Sequence, residues 1–222
     1  MGKLYVVATP IGNLKDITLR ALEVLKEVSF IACEDTRRTS ILLNHYKIEG
    51  KKLLSYYEPK ESVQVPKILK LLEREDVALV TDAGTPSISD PGYKLIKACI
   101  DKGIQVEVIP GPSAVMTALV GSGLPTDRFL FVGFLPRKGL SGFFEDIKNY
   151  QDTTVVAFES PNRVLKSLEI MKGIFGGDLQ VCVARELTKI HEEFLRGKLS
   201  EVYEDLSSRG EIKGEIVILW RQ

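Results

Sequence analysis

Apolar positions along the chain follow two periods. Short β-rich runs at Leu4 to Ala8, Phe30 to Cys33, Leu53 to Tyr56, Val77 to Thr81 and Val106 to Ile109 read as strands. Between them the apolar positions move to helical spacing, as with Ile17, Leu19, Leu22, Leu25 and Val28 in the segment Asp16 to Val28. Asp90-Pro91 opens another helix, because aspartate caps and proline fits a first turn, and Gly103 after Lys102 closes it. Strand and helix in alternation predict an α/β unit on a largely parallel sheet. The pattern resumes later with strands at Phe129 to Phe134, Thr153 to Phe158, Leu179 to Ala184 and Glu215 to Trp220. Helices are expected from Ser160-Pro161 to near Gly173 and from Lys198 to Arg209. The intervening Gly121-Ser122-Gly123-Leu124-Pro125 reads as a hinge. Two domains are therefore expected, an N-terminal α/β domain over 1-122 and a C-terminal α/β domain over 123-222.

Composition narrows the class. Of 222 residues, 44% are apolar and 27% charged, which is the balance of a folded protein. Thirty basic residues offset thirty acidic ones; zero net charge argues against non-specific coating of nucleic acid and leaves room for local basic patches. Cys33, Cys99 and Cys182 lie far apart in apolar runs and read as reduced core thiols, with a cytoplasmic location. The only histidines, His45 and His191, have no metal-binding spacing, so no metal is expected. The opening apolar run stops at Pro10, as a strand does and a signal peptide does not. Positions 108 to 126 carry no charge, but Pro110, Pro112, Gly121, Gly123 and Pro125 break any spanning helix. That stretch is expected to be buried or to line a substrate site, no membrane contact is expected, and it leaves room for an apolar dimer face.

No GxxxxGK[ST] occurs and no GxGxxG follows the first strand, which removes the usual phosphate cradles. Three strand-end loops stand in their place: Thr9-Pro10-Ile11-Gly12-Asn13, Asp82-Ala83-Gly84-Thr85-Pro86 running on through Ile88, and Pro110-Gly111-Pro112-Ser113-Ala114. Any one of these is ordinary turn chemistry. Together they fall at the carboxyl edge of a parallel sheet, where ligands bind. Small residues admit a ligand to the backbone, and Asp82, Thr85, Asn13 and Ser113 supply sparse polar groups suited to a mostly apolar molecule such as an adenosine. Gly111-Pro112-Ser113-Ala114-Val115 approaches a nucleophile elbow, but Val115 replaces its second glycine; Ser113 is better read as a helix-start residue.

Charged clusters follow two other strands. Glu34-Asp35-Thr36-Arg37-Arg38 is either a helix start capped by Asp35 or a phosphate clamp made by Arg37 and Arg38. Ala184-Arg185-Glu186-Leu187-Thr188-Lys189, with Glu159-Ser160 and Lys213-Gly214-Glu215, makes a second polar wall, unless Arg185 and Glu186 merely pair on the surface. His191 reads as solvated. Pro136-Arg137-Lys138-Gly139, with Phe143 and Phe144 behind it, is a solvated loop or a phosphate-and-base contact for single-stranded RNA.

In their order along essentially the whole chain, Thr9-Pro10-Ile11-Gly12-Asn13-Leu14 with Asp16-Ile17-Thr18, Cys33 to Arg37, Asp82 to Gly92, Pro110 to Ala114 and Ala184 to Lys189 closely resemble the ribosomal RNA small subunit methyltransferase I family. Cys33 and Phe158 stand where such sequences often carry Ala and Tyr. The resemblance implies a tetrapyrrole-methylase-like fold of two α/β domains with mostly parallel or mixed sheets, a cofactor cleft between them, and a homodimer. It implies S-adenosyl-L-methionine as cofactor, held by Pro10, Ile11, Gly12, Asp82, Gly84, Thr85, Pro86, Ile88, Ser113, Ala114, Phe158, Glu159, Ala184, Arg185 and Gly214. The implied activity is 2′-O-methylation of a cytidine ribose in the decoding region of 16S rRNA, within the small ribosomal subunit, with Arg37, Arg38, Arg137 and Lys138 on the RNA. A ribose hydroxyl is a very weak acid, and Lys189, Glu186, Asp35 and Glu159 are all candidates to take its proton. Lys189 oriented by Glu186 is the favoured pair, which requires burial or Arg185 to lower the lysine pKa. Two rivals share parts of this pattern: a tetrapyrrole (precorrin-type) methyltransferase, and a non-catalytic nucleotide-sensing or ribosome-binding module.

Overall fold

The computed structural model describes residues 1–222, which form two compact units, 1–113 and 114–222. The first is built on a parallel sheet of β1 (Leu4–Val7), β2 (Phe30–Cys33), β3 (Lys52–Ser55), β4 (Val77–Val80) and β5 (Val106–Ile109) in the order β3-β2-β4-β1-β5. Successive strand residues face opposite sides. Val7, Ile31, Ala78 and Val80 pack with Ala21, Val24 and Leu25 of α1 (Leu19–Glu27) and Leu43 of α2 (Thr36–His45). Leu4, Val6, Ala32, Val77 and Leu79 pack on the other side, with Ile68 and Leu72 of α3 (Glu61–Leu72) and Leu95 and Cys99 of α4 (Tyr93–Asp101). Both faces are covered, so the only part of this sheet open to a ligand is its ends.

The second unit has a mixed sheet of β6 (Phe129–Phe134), β7 (Thr154–Glu159), β8 (Gln180–Arg185), β9 (Glu193–Lys198) and β10 (Ile216–Arg221), ordered β6-β7-β10-β8-β9. Only β6 and β7 run parallel. One face buries Phe144, Leu168, Met171, Val202 and Trp220, where α6 (Leu140–Ile147), α7 (Val164–Phe175) and α8 (Leu199–Ser208) pack. The strand β9 has no counterpart in the apolar pattern: Glu193, Arg196 and Lys198 give an edge strand the charges that discourage further pairing.

The division between units falls at Ser113, ahead of the expected hinge. The cause is α5 (Ala114–Ser122), which buries Val115, Ala118 and Leu119 in the second unit and packs on β8, β9 and β10. Gly121 lies so close to the Phe194 ring that a Cβ would fall 2.4 Å from it, and Arg196 donates to the Gly121 carbonyl at 2.9 Å. Gly121 to Pro125 is thus the stop of a packed helix: Ser122 Oγ donates to the Leu119 carbonyl at 2.7 Å and accepts from the Leu124 amide at 3.0 Å. The uncharged stretch is only partly buried, with Val108, Met116 and Val120 exposed. No helix is long and apolar enough to cross a membrane.

Candidate active site

In the parallel sheet β1 and β4 are neighbours, and the chain leaves them in opposite directions, β1 toward β2 and β4 toward β5. Their carboxyl ends therefore open the crevice in which such sheets bind ligands. Two backbone hydrogen bonds tie the loops that follow: Thr9 N–H to the Gly84 carbonyl at 2.9 Å and Gly84 N–H to the Thr9 carbonyl at 3.0 Å. Thr9 Oγ1 adds a bond to the Thr81 carbonyl at 3.1 Å. Gly84 has φ +79°, and a Cβ there would lie 3.5 Å from Ile11 Cγ2 and 3.9 Å from the Pro112 carbonyl. The loops after β1, β4 and β5 thus meet around one residue, with Ile11 and Pro112 beside Gly84; Pro10, Gly12, Asp82, Thr85, Pro86, Ile88 and Ser113 lie on the same three loops. Beneath them Thr9, Pro10, Thr39, Thr81 and Asp82 line a cavity of about 90 Å³. The Thr81 hydroxyl is buried and has no hydrogen-bond partner, a state that costs free energy until something fills it.

The segment after β2 combines the two readings left open for it. Asp35 caps α2, accepting from the Arg37 amide at 2.8 Å, and the Arg37 guanidinium forks onto the same carboxylate at 3.0 and 2.6 Å. These bonds hold the Asp35 pKa at about 2, so its carboxylate is a weak proton acceptor. Arg38 reaches Asp82 at 3.4 Å, and Asp82 accepts from the Asp35 amide at 3.1 Å. Both arginines already have carboxylate partners, but the Arg37 side chain is 87% exposed and its pair is of the kind that an arriving phosphate displaces at little cost. Burial, and next the Asp82 charge, push the Glu34 carboxyl above its ordinary pKa.

In the second unit the ends of β7 and β8 flank the start of β10, with Ile216 opposite both Glu159 and Arg185. Phe158, Glu159, Ala184, Arg185 and Gly214 therefore do come together, and Ala114 starts α5. The Glu159 carboxylate is committed to structure, however. It is buried, accepts from Ser167 Oγ at 2.5 Å and from the Ser160 amide at 2.7 Å, and pairs with Arg163 at 3.3 Å. Arg163 in turn holds the Pro136 carbonyl at 2.8 Å, so this carboxylate anchors the loop after β6.

Lys189 also departs from its expected role. Its ammonium bonds Glu186 at 2.8 Å and Glu215 at 3.1 Å. Burial lowers the Lys189 pKa, but the two carboxylates outweigh it and the net shift is upward, opposite to what a lysine base requires. Glu186 is tied as well, accepting from the Glu215 amide at 2.9 Å, against a Gly214 whose Cβ would collide with Glu186 Cγ at 2.4 Å. Arg185 pairs across the ladder with Glu193 at 3.2 Å and not with Glu186. The aromatic behind Arg137 and Lys138 is also different: Phe144 is core, whereas Phe134 is 62% exposed. Gly133, at φ +71° in a bulge of β6, turns it outward; a glycine inside a strand was the signal for it. His45 and His191 are exposed.

A family model described as tetrapyrrole (corrin/porphyrin) methylases matches residues 3–203. The ribosomal RNA small subunit methyltransferase I of Hydrogenobaculum sp. (strain Y04AAS1) is 59% identical over 218 residues, which are 98% of this chain and 94% of that protein. Among solved structures, a diphthine synthase superposes with a TM-score of 0.77 at 15% identity, over 99% of this chain and 90% of its own. A uroporphyrin-III C-methyl transferase from Thermus thermophilus, complexed with S-adenyl homocysteine, superposes with a TM-score of 0.68 at 18% identity, over 100% and 98%. The two structures share this fold of paired α/β sheets. With the family model and the relative in agreement over nearly its whole length, the chain belongs to the ribosomal RNA small subunit methyltransferase I family of the tetrapyrrole methylases.

Proposed function

We propose that the chain methylates the ribose 2′-oxygen of a cytidine in the decoding region of 16S rRNA, using S-adenosylmethionine, and that it works in the cytoplasm as a homodimer on the small ribosomal subunit. The observation that carries the cofactor reading is the edge of the parallel sheet, where Gly84 opens the backbone of two tied loops above the unpaired Thr81 hydroxyl. The residues fit such a group: small side chains let it approach the backbone, apolar Pro10, Ile11 and Pro86 suit an adenosine, and Thr81 has an unused donor. When bound, S-adenosylmethionine supplies an electrophilic methyl group on a sulfonium.

The chain's own contribution is placement. In-line attack needs the 2′-oxygen fixed against the methyl carbon, and this alignment lowers the barrier without a charged catalyst. Lys189 stays an ammonium, Glu159 has its oxygens engaged, and Asp35 is too acidic to hold a proton. Glu186 is engaged by Lys189 and the Glu215 amide, and the proton of the attacking hydroxyl passes to water at the open end of the sheet. Arg37, Arg38, Arg137 and Lys138 hold phosphates, an attraction that zero net charge confines to the site. RNA is favoured over a tetrapyrrole as substrate by the 59% identity to a ribosomal RNA methyltransferase, against 18% to a uroporphyrin-III methyltransferase.

Mass-spectrometric mapping of small-subunit RNA treated with the protein and S-adenosylmethionine is expected to find one added methyl on a cytidine ribose; a base methyl or none contradicts the proposal. Lys189→Arg, which keeps the cation between Glu186 and Glu215, is expected to retain kcat within about fivefold, whereas a loss of roughly 100-fold or more marks a general base after all. Thr81→Val should leave the unfolding midpoint unchanged or higher and weaken S-adenosylmethionine by roughly 3- to 10-fold, read by calorimetry; an unchanged Kd removes Thr81 from the site.

A further inference from the structure

A cavity of about 540 Å³ opens over the carboxyl ends of β2, β3 and β4, beside the crevice assigned to the cofactor. Its size falls within the roughly 300–1,000 Å³ of pockets that take small organic groups. The loops after β1 and β5 do not line it, so the cofactor assignment leaves it without a use. Two tyrosines border it, Tyr57 half-buried and Tyr93 67% exposed. Aromatic surface left in water at the mouth of a cavity is what a planar ring covers by stacking. Glu34, Glu58 and Asp90 also line it, as does Lys94, whose ammonium is paired with the buried Glu61, so the carboxylates outnumber the one cation. Ionised carboxylates only accept hydrogen bonds and repel phosphate, so they call for an N–H donor on the occupant. A metal ion does not meet the description, because no group of three or more His, Cys, Asp or Glu is placed to hold one.

The frame is built to keep its shape. Glu61 is 5% exposed, accepts from Tyr56 OH at 2.9 Å and from the Gly92 amide at 3.1 Å, and pairs with Lys94 at 3.0 Å. Gly92 has φ +147°, and a Cβ there would come within 3.1 Å of the Ser87 nitrogen. Glu34 and Tyr57 are shared with a neighbouring cavity of about 400 Å³ that Arg37 also lines. A planar, amine-bearing group in the first cavity thus has a guanidinium next door for an attached phosphate.

We propose that this cavity receives the base of the target nucleotide, turned out of its stack, and selects cytosine over uracil by the exocyclic amine. The proposal rests on the reading of the chain as an RNA ribose methyltransferase. Cytosine N4 donates to the lining carboxylates, whereas uracil sets its O4 acceptor against them with no proton between. Gripping the base fixes the ribose through the glycosidic bond, so the 2′-oxygen is positioned without a residue on the sugar.

The test is methyl transfer into small-subunit RNA carrying cytidine or uridine at the target position, by the parent and by Glu34→Gln, Glu58→Gln and Tyr93→Ala. The parent is expected to prefer cytidine by roughly 100-fold or more in kcat/KM. The glutamine variants offer uracil O4 an N–H and should together narrow that ratio about tenfold. Tyr93→Ala, an exposed position that leaves folding intact, should raise KM for RNA about fivefold with the S-adenosylmethionine Kd unchanged. An unaltered ratio together with an unaltered KM overturns the proposal. If the parent methylates neither RNA, the functional reading fails, and the cavity is judged by saturation-transfer NMR with the free nucleosides. Contacts to cytidine but not uridine that Tyr93→Ala abolishes support it; equal binding, or none, overturns it.

Discussion

The pair of backbone hydrogen bonds between Thr9 and Gly84 is the constraint on which the site depends. A parallel sheet covered on both faces offers a ligand only its ends, and at the carboxyl end each strand breaks into a loop of unpaired amides and carbonyls. Tying the first loop to the fourth converts two mobile connections into one surface. Gly84 is the residue that allows it, because φ +79° suits glycine and a side chain would point at Ile11 and the Pro112 carbonyl. The unpaired Thr81 hydroxyl sits at the root of the same loop, so the cost of leaving it unsatisfied is stored where a ligand can recover it.

Charge is handled by the opposite strategy. Nearly every ionic group near the strand ends already has a partner: Asp35 with Arg37, Asp82 with Arg38, Glu159 with Arg163, and Lys189 with Glu186 and Glu215. Pairs of this kind shift pKa values away from neutrality, with Asp35 pulled down and Lys189 pushed up. Asp35 and Lys189 so held position and brace; they are poor proton shuttles at neutral pH. That distribution agrees with the proposed methyl transfer by alignment, in which the exposed Arg37, Arg137 and Lys138 are the groups proposed to meet phosphates.

Most of the architecture was legible in the sequence because the inner strands β1, β2 and β4 are apolar throughout, as strands covered on two faces must be. Phe30 to Cys33 and Val106 to Ile109 form with the bounds their composition suggests. β9 was not legible, since an edge strand carrying Glu193, Arg196 and Lys198 has no apolar signature. The hinge expected near Gly121 was misplaced for a related reason: its glycines serve close packing on Phe194 and a helix stop, which composition alone does not distinguish from a linker. Around the site, loop convergence could be read from small residues at strand ends. The charge state of Lys189 could not, because Glu215 reaches it from a strand remote in sequence.

The most direct measurement of the central claim is an NMR titration with S-adenosylmethionine, following backbone amides across both units. The largest shift changes are expected at Thr9, Gly84 and Thr85, with the Thr9 and Gly84 amides keeping their hydrogen-bonded shifts in the free protein. Saturable binding that leaves those amides unmoved while others respond would contradict the assignment of the sheet edge as the cofactor site.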